Sequence, residues 1–403
     1  MFVVFKIVSR NIYMTMKTEK PLVIESLIEK YKDNLTENNA LNAIQELLKH
    51  RSSWDECRDW RNYTYPTIIH IIGYGYFILK LYHESADIIE EGLKNIEEDQ
   101  EYAHVAKSQL YEILGRNYCY LLNKEKAIVA FRKMVYYDTF SISNVTYPSI
   151  SLYSFRSISE YSVKDLENNT ISLSSIFKFN DPVDSAYFPW IENALATESD
   201  NVNKIFLEAM IEAYSGYRAR CFVSERPLPN YRENTADSYD NIPPYLNTIM
   251  WAHYADYHKG FCAEYKIPSS AISAHPQEGY VVALHQLEYK DCMPFCTNLN
   301  FKQGFLTKNQ RWEYEHEVRM LYYSINKCED YPIISLDDCP TFKRDIPQKA
   351  LKAIYIGYKC DMKEKIIEVV KNYQPQADIY QINISKNDIY SFIADKIYEG
   401  NKS

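Results

Sequence analysis

The hydrophobic periodicity of this chain changes once, near residue 141, and the change restricts it to a two-part, α+β architecture. From Leu22 to about Phe140, apolar residues recur at intervals of three and four with few prolines, as in "LVIESLIEKY", "NALNAIQELLKH" and "ADIIEEGLKNI". That is the pattern of amphipathic helices. The next ten residues, "SISNVTYPSI", break the period with Ser, Asn and Pro and read as a linker over 141–150. Beyond it, "SLYSF", "TISLSS", "RCFVS", "YVVALHQLEY", "EVRMLYYS", "AIYIG" and "ADIYQINI" alternate as strands do. Helical stretches such as "KIFLEAMIEAYSGY", "PPYLNTIMWAHYADYH" and "MKEKIIEVVKNY" separate them. The expectation is an all-α domain over 17–140, a linker, and a mixed α+β domain over 151–398. At 403 residues, each part is long enough for its own core.

One helical segment is more specific. In "YEILGRNYCYLLNKEKAIVAFRKMVYYD", Tyr111, Leu114, Gly115, Tyr118, Ala127, Phe131 and Met134 resemble a tetratricopeptide repeat in spacing. Small Gly115 and Ala127 let two antiparallel helices approach, while Tyr118 and Phe131 fill the space between them. "IIGYGYFILKLYHESADIIEEGL" repeats the scheme more loosely with Gly73, Gly75 and Ala86. A generic helical bundle is the plainer alternative. A repeat stack implies a recognition, regulatory or oligomerisation module that takes a protein or peptide partner, or a second copy, in a groove.

Composition narrows the function. A net charge of −9 argues against broad coverage of nucleic-acid phosphates and leaves nucleic acid only as a target of modification. The 37 tyrosines suit a polar cleft or reflect a biased genome. Nine scattered cysteines without a CxxC pair read as reduced thiols in a cytoplasmic protein; Cys292 and Cys296 have no second pair nearby to complete a zinc site. The opening "MFVVFKIVSRNIYMTMKTEK" is interrupted by Lys6 and Arg10, and no apolar run of 18 follows anywhere, so no membrane span is expected. Met14 or Met16 is an alternative start.

No GxGxxG, Walker A, HExxH or GxSxG motif is present, so chemistry has to be sought in three clusters. In "PPYLNTIMWAHYADYHKG", Pro243 and Pro244 suit a helix start and Gly260 its C-terminal cap. Leu246, Ile249, Met250, His253 and Tyr257 would form one stripe; Trp251, Ala255 and His258 another. His253 and His258 would lie about 140° apart around a helix, too far to clamp one metal. His253 reads either as a core histidine or as a ligand contact, and His258 as a partner of the helix dipole or a ligand contact. In "RWEYEHEVRML", read as one strand, Glu313, Glu315, Glu317 and Arg319 share a face, and Trp312, Tyr314, His316, Val318 and Met320 share the other. That acidic ladder is either a solvated strand face or a cleft lip. In the third cluster, residues 153–185, a strand with Ser154 and Arg156 leads through a short helix to a strand ending in Ser174 and Ser175, then to an Asn180-Asp181-Pro182 turn.

In order, "LYSFRS", "FNDPVD", "CFVSE", "MWAHYADYHKGFCAEY", "RWEYEHEVRML" and "AIYIGYKC" resemble an uncharacterised bacterial family catalogued as domain of unknown function 2971, from about residue 150 to 375. The resemblance implies that the tryptophan- and histidine-rich stretch is a family hallmark. A more distant similarity is to ADP-ribosyltransferases. It implies an ADP-ribosyltransferase-like fold with NAD as substrate. Arg156 would contact the pyrophosphate or ribose, Ser174 or Ser175 the nicotinamide side, and Glu315 or Glu317 would be the catalytic glutamate. Trp251 or Tyr254 would stack on nicotinamide, with Asn180, Asp181, His253, His258, Trp312 and Arg319 as further ligand contacts. Ser154 stands where some of those enzymes carry a histidine, and the third acid leaves the glutamate register ambiguous.

Two other readings compete. The α+β domain would be a non-catalytic sensor of a nucleotide-like ligand, with the repeats passing the signal on. Alternatively, it would be a metal-assisted hydrolase using His253, Asp256, His258 and a glutamate. Repeats joined to a small effector domain suggest a bacterial conflict or phage-defence protein.

Overall fold

The computed structural model describes residues 22–54, 64–96, 103–143, 151–176, 179, 193–226, 228, 242–267, 271–291, 306–325, 342–346, 349–388 and 391–401. Two compact units emerge, and the chain does not divide between them at a single point. The first comprises the described residues of Met1–Ser141 and Ala194–Tyr214; the second, those of Ile142–Asn193 and Ser215–Ser403.

The first unit is helical: α1 (Leu22–Tyr31), α2 (Glu37–Lys49), α3 (Thr64–Ile78), α4 (Tyr82–Lys94), α5 (Ala103–Tyr120) and α6 (Lys124–Ser143). The last of these carries the helical pattern three residues into the stretch read as a linker. Sequential helices pack on one another. A Cβ on Gly115 of α5 would stand 2.6 Å from the Phe131 ring of α6, so only glycine permits that approach. Asn117 of α5 donates to Ser85 Oγ of α4 at 2.7 Å, and Ser85 in turn donates to the Gly73 carbonyl of α3 at 2.7 Å. This ties three helices together through a buried chain of hydrogen bonds.

Helix α8 (Asn201–Tyr214), which the strand-rich sequence around it assigned to the second domain, joins this unit instead. The contacts that hold it include a Lys124–Glu208 ion pair at 2.8 Å, a Phe131–Phe206 edge-to-face contact, and a nearly buried Arg132–Glu212 pair. Breaking one partner of such a buried pair costs about 3–5 kcal/mol.

The second unit is built on a sheet whose strands run β13-β12-β11-β4-β1-β3-β9-β6-β5, with β2 and β10 branching from β3. In chain order the strands of the unit are β1 (Ser151–Arg156), β2 (Thr170–Ser175), β3 (Tyr217–Ser224), β4 (Phe261–Lys266), β5 (Ala274–His275), β6 (Tyr280–Gln286), β7 (Glu288–Lys290), β8 (Thr307–Asn309), β9 (Glu317–Ser324), β10 (Phe342–Asp345), β11 (Leu351–Ile356), β12 (Asp378–Ile384) and β13 (Phe392–Tyr398). Strands β11 and β12 are parallel, joined through α10 (Lys363–Tyr373) as a parallel pair requires. Strands β7 and β8 form a separate parallel ribbon.

The sheet forks at β3. One edge of β3 pairs with β2 through Ala219 and Arg218, and with β1 through Ser224 and Val223. Between those points Arg220, Cys221 and Phe222 have ladder partners only on the β9 side.

Each face of the sheet has its own apolar core. Helices α7 (Glu160–Asn168) and α10 cover one, where Leu152, Phe222, Val318 and Met320 meet Val163, Leu166 and Ile366. The short α9 (Thr248–Tyr254) covers the other, with Trp251 and Met250 over Tyr153, Phe155 and Val223.

Candidate functional site

Asn247 starts α9 by accepting the backbone N–H groups of Ile249 and Met250. The helix is shorter than its sequence suggests and ends at Tyr254. Asp256, Tyr257 and His258 follow with φ of 46°, 51° and 72°, a left-handed turn without a glycine. Each such residue costs roughly 1–2 kcal/mol. The turn is held by backbone bonds: His258 N–H to the Trp251 carbonyl, Gly260 N–H to Ala255, and Lys359 N–H to His258. Gly260 is therefore not a helix cap. A Cβ there would lie 2.0 Å from the Arg156 carbonyl, so glycine serves close approach to β1.

The tryptophan and histidines of this stretch separate. Trp251 is fully buried, sits edge-on to Phe155 and donates its Nε1–H to the Tyr245 carbonyl at 2.8 Å, a packing role. His253 is exposed, not core-facing, with Nδ1 3.1 Å from the Tyr314 hydroxyl and its ring beside Trp312. His258 lies between Tyr358 and Phe392, with a buried Nδ1 that has no partner; burial and then Lys359 lower its proton affinity. Among the described residues, no three His, Cys, Asp or Glu side chains gather as a metal site would require.

The segment expected to be one acidic strand is two elements. Residues Gln310–Glu315 form a 3-10 helix, His316 turns left-handed at φ 42°, and β9 begins at Glu317. The reversal at His316 breaks the alternation on which a shared strand face depends. Glu315 and Glu317 nevertheless converge on one cation. Lys308 of β8 places Nζ 2.5 Å from Glu315 and 3.2 Å from Glu317.

Around these groups the charges are closely matched. Arg319 Nε donates to Glu317 at 2.6 Å, and the Glu317 N–H donates to Tyr289 Oη at 2.8 Å. The Tyr254 hydroxyl of α9 donates to Glu315. Both carboxylates are buried, at 2% and 4% exposure. Burial, with Glu317 adding to it against the pull of Lys308, raises Glu315 to about 7. Glu317 experiences the same burial, but Arg319 and Lys308 outweigh it and hold the group at about 2. Two neighbouring carboxyls with proton affinities pushed apart form an acid–base arrangement. Burial and the nearby carboxylates keep the Tyr254 phenol firmly protonated.

Above this buried cluster, His253, Trp312 and Tyr314 form a partly exposed aromatic shelf, connected to Glu315 through Tyr254. Lys308 lies 4.8 Å from the Trp312 ring centre.

Other expected site residues lie elsewhere. Tyr153, Val223 and Glu317 are consecutive cross-strand partners and share the α9 face of the sheet. Arg156, three positions beyond Tyr153, projects from the opposite face and pairs with Asp165 of α7 at 2.5 Å. Ser174 and Ser175 stand on the β2 arm of the fork, opposite Ala219 and Arg218. Asn180 and Asp181 lie outside the described residues. Glu315, Glu317, Arg319, Tyr254, His253 and Trp312 are brought together; Arg156, Ser174, Ser175 and His258 are not in their hydrogen-bonded cluster.

Sequence reasoning missed Lys308 and Tyr289. Neither has a motif, and only the parallel β7–β8 ribbon brings them to the glutamates. Compared with family models, curated proteins and solved structures, the chain matches none.

Proposed function

We propose that the second unit cleaves the N-glycosidic bond of a nucleotide, with NAD as the substrate that the likeness to ADP-ribosyltransferases points to. The observation that carries the reading is the Glu315–Glu317 pair, one carboxyl near neutrality and one fully ionised, joined by Lys308 beneath Tyr254. Chemistry through a ribosyl cation needs a fixed negative charge beside the developing positive one, which Glu317 supplies. It also needs a group that takes a proton from the attacking water or acceptor, and Glu315 suits this near pH 7.

In that step the C1′–N bond breaks and nicotinamide leaves with the bonding pair. The oxygen of water, or an acceptor atom, then bonds C1′, and its proton passes to Glu315. The shelf of His253, Trp312 and Tyr314 would stack on a planar ring. The helical pairs of the first unit would receive the protein that targets or restrains the activity, in the manner of a defence effector.

One observation favours a second reading, a ligand sensor without turnover: the cluster's four charged groups are buried and compensate one another. Nicotinamide release from NAD by the full-length protein, beside Glu317→Gln, separates the two. Release that disappears in the variant supports cleavage. Saturable NAD binding without release supports the sensor.

A further inference from the structure

The face of the sheet opposite the carboxylate pair carries a cation that no described carboxylate neutralises. Arg220 of β3 is half-buried, and among the described residues its hydrogen-bond partner is the hydroxyl of Ser154 on β1, reached from Nε at 3.2 Å and from Nη2 at 2.5 Å. No described carboxylate lies within ion-pair distance of it. The acid that acts on it, Asp165, is already engaged by Arg156 at 2.5 Å and by the hydroxyls of Ser172 at 2.7 Å and Thr170 at 3.1 Å.

The group of two guanidiniums and one carboxylate therefore carries a net positive charge in partly desolvated surroundings. Such a charge is costly to leave unpaired. Burial and the neighbouring Arg156 lower the proton affinity of Arg220 to about 10, which still leaves it charged at neutral pH.

Three further features concentrate at this point. Arg220 lies in the fork of the sheet, on the stretch of β3 whose edge neither β1 nor β2 covers. Ser154 is 2% exposed and accepts from Arg220, and no described group accepts its own proton. Tyr265 of β4 projects from the same face as Ser154, and both arginines act on its hydroxyl against the effect of burial. No described hydrogen bond uses that hydroxyl either. Two guanidinium forks and two hydroxyls thus face one region with no described carboxylate beyond Asp165.

We propose that Arg220, with Arg156, Ser154 and Tyr265, forms an oxyanion-binding site at the fork, one that accepts a singly charged phosphodiester or carboxylate group. The single net charge sets the valence, and the planar guanidinium fork matches the two oxygens of either group. The site is separate from the Glu315–Glu317 cluster, which lies across the sheet, and it stands whether or not that cluster is catalytic.

The test is calorimetric titration of the full-length protein with dimethyl phosphate, inorganic phosphate and acetate, each at constant ionic strength. The expected result is one saturable site in at least one arm, with the arms distinguishing a phosphoryl from a carboxylate ligand. Arg220→Gln should weaken it at least tenfold. Should that variant fail to fold, Ser154→Ala, which keeps both guanidiniums, should weaken binding severalfold. Absence of saturable uptake in every arm overturns the proposal, as does uptake unchanged in Arg220→Gln or, where that variant is unfolded, in Ser154→Ala.

Discussion

Glu315 and Glu317 flank a left-handed residue, His316, and both bond the single ammonium of Lys308, at 2.5 and 3.2 Å. The reversal lets two carboxyls at adjacent even-spaced positions approach one cation from a 3-10 helix and a strand. If the pair is catalytic, its members differ in role. Glu317→Gln should reduce nicotinamide release at least 100-fold, because it removes the fixed negative charge. Glu315→Gln should flatten the pH profile near neutrality while leaving measurable turnover, read from initial rates between pH 5 and 9.

Lys308 is the centre of that charge balance. Lys308→Met leaves Glu317 paired with Arg319 and Glu315 bonded by the Tyr254 hydroxyl but by no described cation, and should lower stability by about 3–5 kcal/mol in urea unfolding. Adding Glu315→Gln should recover part of the loss, since it removes the stranded charge. Equal losses in the single and double variants would show that packing of the lysine chain, not its charge, matters.

Stability should also depend on pH in a defined window. Glu315 binds its proton more tightly folded than unfolded, about 7 against 4.5, so its contribution is complete below pH 4.5 and is lost as pH rises to 7. At 1.36 kcal/mol per unit this is on the order of 3 kcal/mol. Glu317 acts oppositely and only below 4.5, losing its contribution as pH falls towards 2. Thermal midpoints of Glu315→Gln should therefore fall less steeply than those of the parent between pH 4.5 and 7. Tyr254→Phe removes a hydrogen bond that favours the ionised carboxylate and should move the window upward.

The left-handed turn at 256–258 makes an inverted prediction about glycine. Tyr257 is 73% exposed at φ 51°, so Tyr257→Gly should be neutral or slightly stabilising where glycine ordinarily costs up to about 1 kcal/mol. Gly260→Ala, by contrast, drives a methyl into the Arg156 carbonyl and should be severely destabilising in thermal melts.

What the sequence disclosed follows from the range of the forces involved. The strand β9 and the helix α10 were legible because an alternating or a helical hydrophobic pattern is local. The glutamates were visible as an unusual run of acid. Their convergence was not, because it depends on His316 adopting φ 42°, which no neighbouring residue announces. Lys308 was invisible for a different reason: it reaches the glutamates through the pairing of β7, the tail of a segment that reads as one strand with β6, and β8, a segment with no periodic signal. Arg156 was legible as a strand-end arginine, but which face it occupies is set by register with β3 and β4. Helix α8 was recognised as a helix, yet its assignment rests on Arg132 and Phe131, 80 and 75 residues upstream of their partners Glu212 and Phe206.

The passage of the chain out of the second unit and back bears on how the molecule can be divided or made. A cut near residue 141 separates α8 from the helices it packs against, leaving Arg132 without Glu212 in one fragment and Phe206 without Phe131 in the other. On the ribosome the first unit cannot finish its core until residue 214 has emerged, by which time β1 and β2 are already out and waiting for β3. The two units are therefore obliged to mature together, and neither fragment is a neutral stand-in for its half of the whole.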